Sequence, residues 1–278
     1  QPETKLVCVN GSHEELDYNV GADLQLLSDP GAFLTALAQV DKTFDGWLNL
    51  QRKRRADWVS EWSAHIATET AQDAVKGRKM HPLQLALDVQ AAMKDDDWLV
   101  FAGANTHFWN AIATNIAAAR GRKLGGILHP GNYSLLGVGV SFALSAKNLN
   151  RDKTVVLVTG DGAFLSGGLS IEACFQENIP IVVVVDNNGG LDCISQQQER
   201  LFKNQQHYAT DFRDIPFHGL FEGLGGYGEL VTKRADLPAA LERAMASGMP
   251  ACLNVKCRGV ISPIVAATSD KRDKASIE

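Results

Sequence analysis

The chain has 278 residues, enough for one large or two modest domains, and its 45% hydrophobic and 21% charged residues are those of an ordinary globular protein. A net charge of −5 argues against nucleic acid as the main partner, because that binding rests on neutralising phosphates with a basic surface. No apolar run is as long as a membrane span and the first residues lack a secretory-signal pattern; Cys8, Cys174, Cys193, Cys252 and Cys257 form no CxxC pair, so a reducing cytoplasm is expected.

Residues 5–10 and 22–27 read as short strands. The second ends in Ser28-Asp29-Pro30, where Ser28 or Asp29 can cap a helix with proline in its first turn and Phe33, Leu34, Leu37 and Val40 at helical spacing. Residues 44–73 make a long polar helix pattern in which Trp47, Leu50, Trp58, Trp62 and Ile66 read as packing anchors, and the basic run 51–55 as a solvated face. His81-Pro82 opens a helix with apolar Leu83, Leu85, Ala86, Val89 and Met93. Residues 98–102 then form a buried strand ending in Gly103-Ala104-Asn105-Thr106, with 107–119 helical beyond it and Asn105 placed where a helix N-cap would be. A strand at 123–128 leads into His129-Pro130-Gly131 and on through Tyr133, Ser134, Leu135 and Leu136 to Gly137 and Gly139.

Two continuous β-branched runs follow, 155–158 and 181–185, of the kind buried on both faces in a parallel sheet. The first ends in Gly160-Asp161-Gly162 and the second in Asp186-Asn187-Asn188-Gly189-Gly190. A helix expected at 168–178 climbs about 16 Å and the following strand returns about 20 Å. Asp161 and Asn188 therefore meet at one sheet edge, in turns expected to be exposed, beyond the carboxyl ends of the strands where open α/β sheets bind ligands. The Asp161 carboxylate, the Asn188 amide oxygen and a backbone carbonyl near Gly190 are an all-oxygen set that suits magnesium or calcium and not zinc. Unpaired N–H groups of Gly162 and Ala163, opening the next helix, attract an anion. The spacing thus predicts a metal and a diphosphate held side by side.

His207, Tyr208 and His218 lie in a polar, glycine-rich stretch where lone histidines read as hydrogen-bonded structural groups. A helix after Pro216, a strand at 229–232, a helix at 235–247 and a strand at 251–255 complete about six strands alternating with helices. Residues 262–278 are small and charged, as in a mobile tail.

GDGAF followed at the right interval by Asn187-Asn188 resembles the thiamine diphosphate fingerprint of the acetolactate synthase, oxalyl-CoA decarboxylase and 2-hydroxyacyl-CoA lyase superfamily. Residues 103–106, GANT, resemble the corresponding turn of the decarboxylases and lyases more closely than that of acetolactate synthases. Residues 129–146 are similar to the stretch that carries Gly131, Leu136, Gly137 and Gly139 in matching positions. What the resemblance implies is an α/β fold, a parallel sheet with helices on both faces, holding thiamine diphosphate and Mg2+. Asp161, Asn188 and Gly190 would hold the metal. Asn105, Thr106, Gly160, Gly162, Ala163 and Asn188 would hold the cofactor. Leu136 would be the wedge between the cofactor's rings, with a plain core residue as the lesser alternative, and the Ser134 carbonyl would accept from the 4'-amino group. Asn105 is left between that role and a helix cap.

The same resemblance divides the chain into a remnant of a central domain at 1–43, a helical connector at 44–78, a diphosphate- and metal-binding domain at 79–260 and a tail or lid at 261–278. It implies a C–C bond lyase or carboligase acting on a 2-oxo acid, aldehyde or acyl-CoA, most like a 2-hydroxyacyl-CoA lyase or oxalyl-CoA decarboxylase. An acetolactate synthase-like fragment and a non-catalytic cofactor-binding subunit are the alternatives; Gln197 stands where acetolactate synthases have tryptophan. A catalytic glutamate is expected from a pyrimidine-domain partner, in a dimer of heterodimers, because Glu14, Glu15, Glu61 and Glu69 lie in the wrong context. The roles of His107 and His129 are left open.

Overall fold

In the computed structural model, which describes residues 4–16, 21–40, 44–133, 135–203 and 206–267, the chain divides into two units, 1–54 and 55–278. In the first unit, strands β1 (Val7–Asn10) and β2 (Leu24–Leu27) pair in parallel with Val7 opposite Leu24. Helix α1 (Pro30–Leu37) follows, and of the two candidate caps it is Asp29 that accepts from the Ala32 N–H, at 2.8 Å. This α1 buries none of its residues, and Leu24, Leu27, Leu34 and Leu37 stay exposed. A two-stranded sheet with one short helix is too small to cover its own apolar side chains. The division falls inside α2 (Asp45–Lys76), the long polar helix expected from the tryptophan spacing.

The second unit is built on a six-stranded parallel sheet. In chain order its elements after α2 are α3 (Pro82–Ala92), β3 (Trp98–Ala102), α4 (Asn105–Ala119), β4 (Gly126–Leu128), α5 (Gly139–Leu149), β5 (Val155–Gly160), α6 (Asp161–Gly167), α7 (Glu172–Gln176), β6 (Val182–Asn187), α8 (Asp192–Phe202), α9 (Phe217–Gly223), β7 (Tyr227–Val231), α10 (Leu237–Ala246) and β8 (Ala251–Lys256). The spatial order is β4-β3-β5-β6-β8-β7, every neighbouring pair parallel. The valine runs are explained by what lies on each side. Val156, Val158, Val182 and Val184 pack with Leu85 and Val89 of α3 and Leu237 and Leu241 of α10. Their neighbours Val155, Leu157, Val183 and Val185 face the other way, onto Val140 and Ala143 of α5, Phe164 of α6 and Phe217 and Phe221 of α9. With both faces covered, alternation of polar and apolar residues disappears from the strands.

A third cluster joins α2 to the sheet's helices. Ile66 packs with Leu83 and Ala86 of α3 and Trp109, Ile112 and Ile116 of α4, with Trp58 and Trp62 against them. The expected anchor role of those two tryptophans is therefore met. His81 caps α3, its Nδ1 accepting from the Leu83 N–H at 3.0 Å, and burial drives its pKa down to about 3.

Two expectations change. The helix placed at 168–178 begins instead at Asp161, as α6, and then breaks into a 3₁₀ turn, Gly168–Ile171, before α7. The cause is a close backbone crossing: a Cβ on Gly167 would lie 2.2 Å from the Gly137 carbonyl oxygen, so Gly167 admits the loop that carries Gly137, itself at φ +88°. Gly167→Ala is expected to lower stability by about 3 kcal/mol through backbone displacement, read as a fall in the urea midpoint; an unchanged midpoint would remove the crossing as the reason for the break. Nor is the chain after β8 a trailing tail throughout. Ser262 is wholly buried, its N–H donates to Asn105 Oδ1 at 2.9 Å, and residues 263–267 are helical; 268–278 lie outside the described residues.

Candidate functional site

Three adjacent strands, β3, β5 and β6, all lead at their carboxyl ends into helix starts that line one pocket. β3 reaches α4 through Gly103 and Ala104, β5 passes directly into α6, and β6 reaches α8 through residues 188–191. Because β4 lies beyond β3 while β5 lies on its other side, the sheet's topological switch falls between β3 and β5, where such sheets leave a crevice. The backbones nearly touch there. Gly103 has φ +124°, and a Cβ on it would come within 3.3 Å of the Gly160 nitrogen.

The pocket, about 100 Å³, is lined by Asn105, Thr106, Leu136, Gly160, Asp161, Gly162, Ala163, Asn188 and Gly190. These are all the expected site residues except Ser134, which lies outside the described residues. Larger hollows of about 840 and 700 Å³ sit between α2 and α3, but they are open grooves whose arginines are already engaged, Arg234 with Asp88 and Arg122 with the Ala91 and Met93 carbonyls. The small pocket is where chemistry-bearing groups converge.

Asp161 is 2% exposed rather than lying in an open turn. Its Oδ1 accepts from the Gly162 N–H at 2.7 Å, and its Oδ2 from the N–H groups of Gly189 at 2.8 Å and Gly190 at 3.1 Å. The carboxylate thus stitches the start of α6 to the turn after β6. Asn188 Oδ1 accepts from the Gly190 N–H at 3.2 Å, so both predicted metal-ligand side chains present their oxygens to the same short turn. Asp186 and Asp192 stand close by, and both were missed at the sequence level. Burial raises the Asp161 pKa, pushes Asp186 up to about 7 and Asp192 up to about 6, and the nearby Asp161 charge adds to the rise of the other two. Three desolvated carboxylates with no ion-paired lysine or arginine among the described residues make a site of unbalanced negative charge. A signal for Asp192 did exist: an acidic residue opening a helix next to a phosphate-like turn.

The Asn105 and Thr106 side chains are committed internally. Asn105 Nδ2 donates to Asp192 Oδ2 at 3.3 Å, and the Thr106 hydroxyl donates to Asp186 Oδ2 at 2.8 Å. Asn105 is the first residue of α4 and not its cap, which is Ala104. What α4 offers the pocket is its unpaired first-turn N–H groups. Leu136 is 38% exposed, which argues against the core reading. His107 and His129 pack ring against ring at 4.9 Å outside the pocket lining, with burial lowering the His107 pKa. Gln197 Nε2 lies 3.4 Å from Cys193 Sγ. Among the described residues no three His, Cys, Asp or Glu side chains are grouped to hold a metal, so a cation here would draw on an amide, a carbonyl and a ligand's own oxygens.

Residues 111–255, more than half of the chain, match the family model described as thiamine pyrophosphate enzyme, C-terminal TPP binding domain. The chain belongs to the thiamine pyrophosphate enzyme family. The matched span includes Leu136, both turns and the sheet from β4 to β8, while Asn105 and Thr106 precede it. The chain is 30% identical over 210 residues to the acetolactate synthase large subunit IlvG of Mycobacterium tuberculosis, covering 71% of this chain and 36% of that protein. It is 26% identical over 272 residues to 2-hydroxyacyl-CoA lyase 1 of Mus musculus, covering 91% and 45%. Its fold is similar to that of the Rhodococcus jostii RHA1 thiamine diphosphate-dependent 4-hydroxybenzoylformate decarboxylase, with TM-score 0.67 and 20% identity over 93% of this chain and 45% of that one. The chain therefore spans less than half the length of these relatives. Among the described residues no helix is long and apolar enough to cross a membrane.

Proposed function

We propose that this chain supplies the diphosphate- and Mg2+-binding half of a thiamine diphosphate-dependent C–C bond lyase or carboligase. The observation that carries the reading is the meeting of three helix starts with the Asp161 and Asp192 carboxylates in one crevice: dipole ends and first-turn N–H groups suit an anion, and the carboxylates suit a cation. A magnesium diphosphate answers both needs at once. Asp161, Asn188 and the Gly190 carbonyl would hold Mg2+, which tolerates a mixed set of hard oxygens and keeps ligand oxygens in its shell. The N–H group of Ala163 on α6, and those of Asn105 and Thr106 on α4, would bond the diphosphate; the Gly162 N–H, expected to be unpaired, is instead taken by Asp161 Oδ1.

When bound, thiamine diphosphate supplies a nucleophilic carbon and an electron sink for making or breaking a C–C bond next to a carbonyl. The chain's own part is to orient and to exclude water. Leu136, half exposed at the mouth of the pocket, is placed to wedge a bent cofactor, and the Ser134 carbonyl would accept from its amino group. The proton-moving glutamate would come from a pyrimidine-domain partner subunit. A reaction like that of a 2-hydroxyacyl-CoA lyase or oxalyl-CoA decarboxylase is favoured over acetolactate synthesis, because Gln197, bonded to Cys193, stands where the resemblance places a tryptophan in acetolactate synthases.

Calorimetric titration of the chain with thiamine diphosphate in the presence of Mg2+ tests this directly. Saturable binding that disappears on chelating Mg2+ is expected, and absence of binding at millimolar ligand would overturn the assignment. Leu136→Ala should leave affinity within about threefold while turnover of the complex with its partner falls about tenfold or more, since orientation acts on the reaction and not on anchoring. Equal losses in both would return Leu136 to a packing role.

A further inference from the structure

Outside the pocket, the segment after α8 is tied down at two ends by contacts that the cofactor reading leaves unused. His207 has Nε2 2.7 Å from Glu199 Oε1 on α8 and Nδ1 2.7 Å from Asp211 Oδ1 on its own segment. A neutral imidazole has one N–H, so it cannot donate to both carboxylates; the imidazolium can. Beside it, the Gln198 amide closes two bonds with the Tyr208 backbone, at 3.2 and 2.9 Å. Asp211 in turn pairs with Gly190 as an isolated antiparallel bridge, held by the Leu191 N–H on the Thr210 carbonyl at 2.7 Å and the Phe212 N–H on the Gly189 carbonyl at 2.8 Å. The fit is close: a Cβ on Gly190 would lie 2.4 Å from the Thr210 oxygen. Residues 207–212 are thus a strap, one end on α8 and the other forming the backing of the turn that carries Asn188 and Gly190.

We propose that His207 is a positioning residue for that turn: as an imidazolium it clamps Asp211 to Glu199, and through the Asp211–Gly190 pairing it fixes the backbone from which Gly190 would face a divalent cation. The proposal deepens the metal and diphosphate reading and rests on it for the cation alone. The charged groups that act on the ring are Glu199 and Asp192 of α8 and Asp211 of the strap; Arg200, next on α8, is turned to the Ala266 carbonyl. The two carboxylates hold the His207 pKa above its ordinary value of 6.5, through their hydrogen bonds first. The clamp is therefore present below neutral pH and is lost as pH rises through the raised value.

The sign separates this from simple electrostatics. Losing a positive charge near the site, like ionising Asp161 or Asp192, would strengthen cation binding as pH rises. Clamp loss weakens it. In the full chain, Mg2+-dependent affinity for thiamine diphosphate is expected to fall about tenfold as the imidazolium is lost, at the low end of couplings between distinct sites. His207→Gln should be flat or rising over the same range, and His207→Lys, which keeps a cation, should retain the tighter binding. In the ligand-free chain, hydrogen-exchange protection of the Leu191 and Phe212 amides, corrected for intrinsic rate, should fall with the same titration in the native sequence and stay constant in His207→Lys. Protection that ignores pH, or that falls alike in all three proteins, would overturn the clamp. Protection that follows the histidine in a chain that binds no cofactor at any pH would support the clamp and sink the cofactor reading instead.

Discussion

Exchanging Asp161 for asparagine is expected to abolish Mg2+-dependent binding of thiamine diphosphate, a loss of at least about a hundredfold, the ~2.7 kcal/mol expected when one side of a desolvated charge pair is neutralised. Asparagine is a better choice than alanine. Asp161→Ala would leave the N–H groups of Gly162 and Gly189 without their acceptor in a place water barely reaches, at about 1–3 kcal/mol for each unsatisfied group, and the Gly190 N–H with Asn188 Oδ1 alone. Lost binding would then be confounded with a collapsed turn, whereas asparagine keeps one oxygen.

The same substitution carries a pH signature without any ligand. Burial raises the Asp161 pKa above the unfolded value of 3.8, so between those values the folded chain binds more protons than the unfolded one. Stability must fall as pH rises through that window. Asp186 and Asp192 contribute in the same direction, their values lifted to about 7 and about 6. Urea unfolding between pH 4 and pH 7 should show a shallower decline in Asp161→Asn than in the native sequence. A decline of equal slope, together with retained affinity, would remove Asp161 from both the charge cluster and the metal.

How much of this could be read from the sequence follows from which interactions are local. Strands β5 and β6 were legible because burial on both faces writes itself as uninterrupted valine, and the turn residues at their ends carry their chemistry in their identity. The turn after β6 and the start of α6 could be brought to one edge by adding up element lengths alone. The break after Gly167 could not, because its cause is the backbone of Gly137, thirty residues away in the chain and in contact only through the fold. Thr106 and Asp186 are likewise joined across the sheet by a single 2.8 Å bond that no local pattern encodes, so neither the commitment of the threonine nor the burial of the aspartate could be seen. His207 looked like any polar histidine in a glycine-rich stretch. Its two carboxylates are recognisable only once the strap is folded back on α8. Charge segregation misled in one place, where the small polar residues beyond β8 suggested a tail and Ser262 instead closes over Asn105.

The chain by itself, supplied with Mg2+ and thiamine diphosphate, is expected to leave the cofactor's C2 proton exchanging at the rate of the free cofactor. Generating the reactive carbon requires a carboxylic acid at the far side of the pyrimidine ring, and among the described residues no glutamate lines the pocket. The carboxylates that are near are engaged elsewhere: Asp161 with three N–H groups, Asp186 with Thr106 and Asp192 with Asn105. A partner subunit would bring the missing acid, and the surface beside the pocket has the character of a place to receive one. Leu135, Leu165 and Leu169 are 60%, 49% and 78% exposed, and Leu165 and Leu169 border an apolar hollow of about 550 Å³ with Phe164, Pro216, Phe217 and Leu220. An exposed apolar hollow of this kind would suit an interface. Leu169→Glu should therefore leave cofactor binding by the isolated chain within about twofold, since an exposed substitution disturbs little, yet prevent activation when a pyrimidine-domain subunit is added. NMR observation of C2 proton exchange decides both halves: rapid exchange in the chain alone would place the acid within it, and rapid exchange in the Leu169→Glu complex would move the interface to another face.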